Sequence, residues 1–208
     1  MADRTEKILT PAQNFDFLTL DEAKTMLGIS TSTPTDDEQL QMMISTESAV
    51  IARICNRTFA YEEVEESWRD LASRRVFLSH WPVNEADIES VTVNGSALDS
   101  TGWDLEPASG KLSNYNGWSG EPITVNYWGG YVLPDDAPLP LKQATIALVR
   151  EQRILMRQAQ VAGIRQLSHK EARVTFFDPN ELLMKTGTSA QAQQQIYNLL
   201  YHYIRIEV

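Results

Sequence analysis

Residues 125–144 read VNYWGGYVLPDDAPLPLKQA, and the order of signals in them sets the plan of the chain. Val125 and Tyr127 alternate with Asn126 and Trp128 as the residues of a strand do. Gly129-Gly130 can adopt positive φ and end that strand abruptly. Pro134, Pro138 and Pro140 then hold the connector extended until a helix starts. From Leu141 the pattern is helical, predicting a helix over 141–160 with Leu141, Ala144, Leu148, Ile154 and Leu155 as buried candidates. Ile146 and Val149 broaden the stripe. Arg150, Arg153 and Arg157 run beside it at offsets of three and four.

Upstream the chain reads as two further helices. In TLDEAKTMLGI, Thr19 and Glu22 have the spacing of a capping box, and Gly28 supplies a left-handed stop. A helix over 20–27 follows. Thr35 and Glu38 form a second such pair and open a helix over 36–56, whose apolar face is Leu40, Met43, Ile44, Ile51, Ile54 and Cys55. Acids occupy its first turn, and Arg53 and Arg57 lie near its end, as the helix dipole favours.

The middle changes character. Seven of the ten glycines lie between residues 95 and 130, and all five tryptophans between 68 and 128. Asn94-Gly95 between apolar runs is a hairpin signal, and RRVFLSH, WDLEP and ITVNYW read as short strands. The expected fold is α+β: a mainly helical core of two N-terminal helices and one long helix, with a small antiparallel β region over 58–131. Residues 1–15 lack periodicity and read as a flexible tail ahead of a core over 16–160. Residues 161–208 read as a C-terminal arm. It holds an exposed strand-like stretch, a polar passage and a terminal helix carrying Ile196, Leu199, Leu200 and Tyr203. Residues 204–208 alternate with period two, as in a strand.

Composition narrows the function. The 208 residues are 42% hydrophobic and 22% charged, in the range of globular proteins. One cysteine excludes an internal disulfide framework. The opening MADRTEKILTPAQN lacks the apolar stretch of a signal peptide, and no apolar run reaches about 18 residues. The expectation is a soluble protein made in the cytoplasm. Net charge is −10, unevenly spread: residues 1–140 hold 23 acids and 9 bases, and residues 141–208 hold 5 acids and 9 bases. Either these are ordinary solvated faces, or the last third meets an acidic surface while the body repels nucleic acid.

Catalytic chemistry finds little support. His80, His169 and His202 have no ligand partner at metal-site spacing, and Cys55 sits on an apolar helix face. Phosphate-cradle and nucleophile motifs are absent from the sequence. The chain therefore reads as a non-enzyme without a cofactor or metal. Glu62, Glu63, Glu65 and Glu66 can in principle supply paired carboxylates for glycoside chemistry, but a solvated edge or acidic surface is the simpler reading, because burying several together is costly through mutual repulsion. Trp103, Tyr115, Trp118, Tyr127 and Trp128 either fill a core or stack on a ligand, which keeps a carbohydrate- or receptor-binding module as an alternative. The arginine stripe either pairs locally, with Glu151 for instance, or contacts a neighbouring subunit.

The order of the pieces carries more than any one of them. FLTLDEAKTMLGI is followed by DDEQLQMMISTESAVIARICNRTF, WPVNEADIESVTVNG, WDLEPASGKLSNYNGW, ITVNYWGGY and APLPLKQATIALVREQ, with NLLYHYIR near the end. This order resembles the head-to-tail connector (adaptor) proteins of tailed bacteriophages, the HK97-type connector family, over about residues 17–205. The recurring elements of that family are matched by Val125, Tyr127, Gly130, Tyr131, Pro138, Leu141 and Ala144. The resemblance implies a virion neck protein, made in the bacterial host cytoplasm, that forms a ring of about twelve copies beneath the portal protein. Such a ring extends the DNA channel without sequence-specific contact, receives a downstream neck or tail-completion protein, and has no membrane partner. On that reading Ile196, Leu199, Leu200, Tyr203, Ile204, Ile206 and Val208 form a portal-docking arm. Arg150, Arg153 and Arg157 form an inter-subunit stripe, and Glu62, Glu63, Glu65 and Glu66 an acidic face toward the lumen.

Overall fold

The computed structural model describes residues 3–32, 36–71, 73–118, 122–161, 166–169, 172–175 and 188–205. The chain divides into two compact units, each built from two stretches of sequence. One comprises Met1–Asp16 and Asn56–Ala137; the other comprises Phe17–Cys55 and Pro138–Val208.

The first unit is built on two antiparallel sheets, and it corrects the expectation of a small β region within a mainly helical core. Strands β1 (Asp3–Thr10), β2 (Glu62–Arg69), β4 (Ile88–Val93), β5 (Ser96–Ala97) and β8 (Ile123–Gly129) form a five-stranded sheet in the order β1-β2-β8-β4-β5. Strands β3 (Arg75–Phe77), β6 (Trp103–Glu106) and β7 (Lys111–Asn114) form a three-stranded sheet in the order β3-β7-β6. Several of these strands are too short, and β1 and β2 too rich in charge, for hydropathy alone to reveal them.

One shared core joins the two sheets. Val64, Trp68, Val91, Ile123, Val125 and Tyr127 from the larger sheet meet Val76, Leu105 and Leu112 from the smaller, with Trp118 fully buried among them. Along β8 the buried residues Ile123, Val125, Tyr127 and Gly129 alternate with half-buried Thr124, Asn126 and Trp128. Each inward residue is set against a specific neighbour on β2: Val64 faces Tyr127, Glu66 faces Val125, and Trp68 faces Ile123. Asn94 and Gly95, at φ 50° and 75°, make the two-residue turn between β4 and β5.

The glycine pair stops β8 by two means. Gly130 has φ 112°, and a Cβ there would lie 2.2 Å from the Ala60 carbonyl oxygen. Gly129 keeps an ordinary φ, but its Cβ would lie 2.4 Å from the His80 carbonyl oxygen. Tyr131 then donates its N–H to the Phe59 carbonyl at 2.7 Å. Arg57, expected near the end of a helix, instead belongs to this unit. Its guanidinium lies 3.2 Å from the Trp81 ring centroid and 4.3 Å from that of Phe59.

Residues 3–10 are not a flexible tail. They pair with β2 from Asp3 opposite Arg69 to Thr10 opposite Glu63. The strand is mostly exposed and carries four charged residues in its first five, a composition suited to a sheet edge. That same composition removes the hydrophobic period from the sequence.

The second unit is mainly helical: α1 (Leu20–Leu27), α2 (Asp37–Ile54), α3 (Leu139–Val161) and α4 (Thr188–Leu200), with a two-stranded sheet of β9 (Gln166–His169) and β10 (Ala172–Thr175). Thr19 and Glu22 form the capping box, and Gly28 closes α1 at φ 69°. Thr35 lies outside the described residues; α2 starts after Asp36, which has φ 68°. Leu18, Ala23, Leu40, Met43, Ile44, Ile146 and Val149 form a core between α1, α2 and α3. On α3 the buried face is Leu141, Ala144, Thr145, Ile146 and Val149, while Ile154 and Leu155 are each 49% exposed. Ile54, expected to be buried, is also exposed. Two ion pairs clamp this unit: Lys24 to Asp37 at 2.7 Å and Lys142 to Glu22 at 2.6 Å.

Two expected outcomes test this architecture. Gly130→Ala forces a side chain against the Ala60 carbonyl at positive φ and lowers stability by about 1–3 kcal/mol in urea denaturation. At Glu22 burial raises the carboxyl pKa, but hydrogen bonds from Lys142 and the Thr19 amide outweigh it and hold the group below its ordinary value of 4.5. Its stabilising contribution is therefore present above pH ~4.5 and is lost as pH falls through the depressed folded-state value. Glu22→Gln should flatten that part of the stability–pH curve.

Candidate functional site

The period of β2 divides the four glutamates between two faces. Glu62 and Glu66 point inward beside Val64 and Trp68 and are 4% and 0% exposed, whereas Glu63 and Glu65 lie half-buried on the other side. The single acidic face expected from sequence does not form, because neighbouring residues of a strand project in opposite directions.

The two inward carboxylates anchor a buried polar network. Glu66 Oε1 accepts from the Ser79 amide at 2.7 Å, the Ser79 hydroxyl and the Tyr127 hydroxyl. Glu66 Oε2 accepts from Arg4 Nε at 2.9 Å. Glu62 Oε2 is 3.0 Å from His80 Nε2, and Glu62 Oε1 accepts from the Ala12 amide at 3.0 Å. His80 Nδ1 lies 2.9 Å from Ser79 Oγ, and the His80 amide donates to the Tyr127 hydroxyl at 3.1 Å. Charge-assisted donors thus offset the repulsion that argued against burying these acids. Burial first, and then the adjacent Glu66 carboxylate, push the Tyr127 phenol far above its ordinary pKa.

The sequence pointed to these glutamates but missed their partners. Glu62 and His80 are 18 residues apart, and Arg4 and Glu66 are 62 apart. The available signal was the alternation of EEVEESW about Val64, which puts two acids on the same face as the apolar residues. Both buried carboxylates are committed to structural hydrogen bonds. Among the described residues, no group of three or more His, Cys, Asp or Glu is placed to hold a metal ion. Cys55 is fully buried, and His202 is exposed with its ring edge-on to Tyr201.

The aromatic side chains do not share one surface. Trp118 and Tyr127 are fully buried, and half-buried Trp103 packs against the core. Trp128 stacks on Tyr61 at 5.4 Å and donates its indole N–H to Glu89 at 3.1 Å. Tyr61 in turn donates to Asp87, and burial and that carboxylate push its phenol up to about 12. Tyr115 is 64% exposed.

The arginine stripe lies on α3. Arg150 reaches the Met26 carbonyl at 3.4 Å, while Arg153 and Arg157 flank a cavity of about 330 Å³ within the helical unit. No ion pair joins the stripe to Glu151 among the described residues. Glu151 instead helps to raise the Glu47 carboxyl pKa, after burial as the larger cause. In the C-terminal stretch, Ile196 and Leu200 are buried, Leu199, Tyr203 and Ile204 are half-buried, and Ile206 and Val208 lie outside the described residues. Helix α4 packs on α3, and the Arg205 amide donates to the Cys55 carbonyl at 2.8 Å. The exposed side of this stretch is Tyr197, Tyr201 and His202.

The network makes a stability prediction. Glu66→Ala leaves Arg4, Ser79 and Tyr127 without their buried acceptor and should destabilise the protein by about 3–5 kcal/mol in urea. Glu63→Ala, on the opposite face, should cost less than about 1 kcal/mol in the same assay.

Three solved chains share this fold along 98% of the present chain: those of the "Neck of empty GTA particle computed with C6 symmetry", the "Virion of native gene transfer agent (GTA) particle" and the "Neck of native GTA particle computed with C12 symmetry". Their TM-scores are 0.56, 0.55 and 0.56, their identities 14%, 14% and 13%, and 97%, 96% and 97% of each is covered. At such identities the likeness concerns the fold. No curated protein matches the sequence. The family model for head completion proteins matches residues 16–163, well over half of the chain. By that match the chain is a structural protein rather than an enzyme, and it belongs to the head completion protein family.

Proposed function

We propose that this protein is a head-to-tail connector of a tailed-phage-like particle. In this reading it forms a ring, of about twelve copies, that seats beneath the portal protein, continues the DNA channel and receives the next neck or tail-completion protein. The observation that carries the reading is the head completion match across residues 16–163. The full-length fold likeness to chains of particle necks, computed with C6 and C12 symmetry, points the same way.

Charge and surface chemistry suit the role. A ring around passing DNA works best without gripping phosphates, and a chain of net charge −10 repels them. Among the described residues no helix is long and apolar enough to cross a membrane. The alternative of an aromatic ligand platform loses its support, since Trp118 and Tyr127 are buried and Trp128 is engaged by Tyr61 and Glu89.

Portal docking is assigned to the exposed side of the C-terminal stretch, Tyr197, Tyr201 and His202, with Leu199, Tyr203 and Ile204 behind it. Ile196 and Leu200 serve the unit's own packing instead. Large aromatic side chains are favoured anchors at protein interfaces.

Native mass spectrometry of the protein, alone and with its cognate portal, tests the reading. Twelve copies of a 23.5 kDa chain give a species of about 280 kDa, expected in at least one sample. A monomer in both would refute the ring. The double substitution Tyr197→Ser/Tyr201→Ser should weaken portal co-sedimentation at least about tenfold while leaving the thermal melt in place. Leu200→Ala, by contrast, should lower stability itself by about 2–5 kcal/mol.

A further inference from the structure

We propose that the cavity on the helical unit receives the Asp135-Asp136 turn of a second copy of this chain. The contact runs head to tail and repeats from subunit to subunit. It rests on the ring reading above and supplies the contact that reading lacks.

The cavity has an apolar floor and a cationic rim. Buried Leu40 and Met43 form the floor, and Lys24, Arg153 and Arg157 stand around it with Asp36. Lys24 is already paired with Asp37 at 2.7 Å. Arg153 and Arg157, one turn apart on α3, have no ion pair or hydrogen bond among the described residues. A volume of about 330 Å³ is at the lower end of the roughly 300–1,000 Å³ range of binding pockets. It suits a short loop rather than a helix or strand. The occupant required by this chemistry is small and ordered, with two carboxylates and a modest apolar surface.

The chain carries such an element in residues 132–137, VLPDDA. Val132 is 53% exposed, and Asp135 and Asp136 are exposed. The Asp136 amide donates to the Val132 carbonyl at 2.9 Å, and the Ala137 amide to the Pro134 carbonyl at 3.3 Å. These bonds and Pro134 fix the turn before binding, which reduces the entropy lost on docking. Among the described residues Glu106, Glu6 and Glu89 are occupied by Lys111, Arg4 and Trp128, and the exposed acids left unpaired elsewhere, such as Asp70, Asp99 and Asp104, stand singly. Among the described residues, Asp135 and Asp136 are the adjacent pair of exposed acids without a hydrogen bond or ion pair.

Two free carboxylates therefore match two free guanidinium groups, which favour bidentate carboxylate contacts. Each copy offers one cavity and one turn, which are different surfaces. The contact is heterologous and propagates until the ring closes.

Charge reversal tests this, with native mass spectrometry in the conditions where the wild type forms its ring. Arg153→Glu/Arg157→Glu and Asp135→Arg/Asp136→Arg should each reduce the ring fraction at least tenfold, with circular dichroism and melting temperature retained. An equimolar mixture of the two variants should restore the ring with alternating copies, because each faulty cavity meets a complementary turn and each native cavity a native turn. Undiminished rings from either variant alone would overturn the contact and leave the ring reading standing. Loss of the ring without rescue on mixing would assign the arginines to something else, such as DNA phosphates, and would also overturn it. A wild type that forms no ring, alone or with portal, removes both the ring reading and this contact.

Discussion

The Glu66 carboxylate is the point on which the β unit turns. It is fully buried, yet it receives donors from the N-terminal edge strand, from the segment after β3 and from the central strand β8. A buried charge is tolerated only when it is paired and hydrogen-bonded, so these three pieces must arrive together. The apolar residues around it, Val64, Val125 and Tyr127, would accept several repackings of similar volume. The carboxylate accepts few, because a strand shifted by one residue would turn it outward and replace it with a half-buried neighbour. The polar network therefore fixes register where hydrophobic burial alone would specify it less well. Glu62, His80 and the Ala12 amide extend the same control to the chain leaving β1.

The helical unit is held on different terms. Its core is aliphatic, and its ion pairs lie at the helix starts, where Glu22 and Asp37 each take a lysine, Lys142 half-buried and Lys24 buried. The long helix α3 divides its labour along its length. Leu141, Ala144, Ile146 and Val149 bury themselves, while the following turns leave Ile154, Leu155 and Arg157 exposed and Arg153 half-buried. A helix that keeps apolar and cationic groups in solvent together presents a surface suited to a partner.

Legibility in the sequence followed the range of the interactions concerned. The Thr19–Glu22 capping box, the Gly28 stop, the Asn94-Gly95 turn and the helices α1, α2 and α3 all depend on residues within about four positions of one another, and the sequence displays them. The strands β1 and β2 do not, since their meaning lies in partners 50 or more residues away. DRTEKILT has no apolar face to show, and EEVEESWR shows so many acids that the period beneath them is hidden. The cavity of Arg153 and Arg157 was visible only as a stripe, because its floor comes from another helix. Ile196 and Leu200 read as a free apolar face for the same reason: helix α3, on which their own helix packs, lies well upstream.

The connection order has a consequence for biosynthesis. Strand β1 leaves the ribosome before its partner β2, and the first two helices emerge between them. Until β2 is complete, Arg4 has no Glu66 and every main-chain group of β1 must be satisfied by water. Contacts of such long sequence separation form slowly. An apolar strand waiting through that interval would recruit strands from other nascent chains, whereas Asp3, Arg4, Glu6 and Lys7 keep this one hydrated and solitary. The charges that disguise β1 as a tail thus work as a chaperone written into the strand itself.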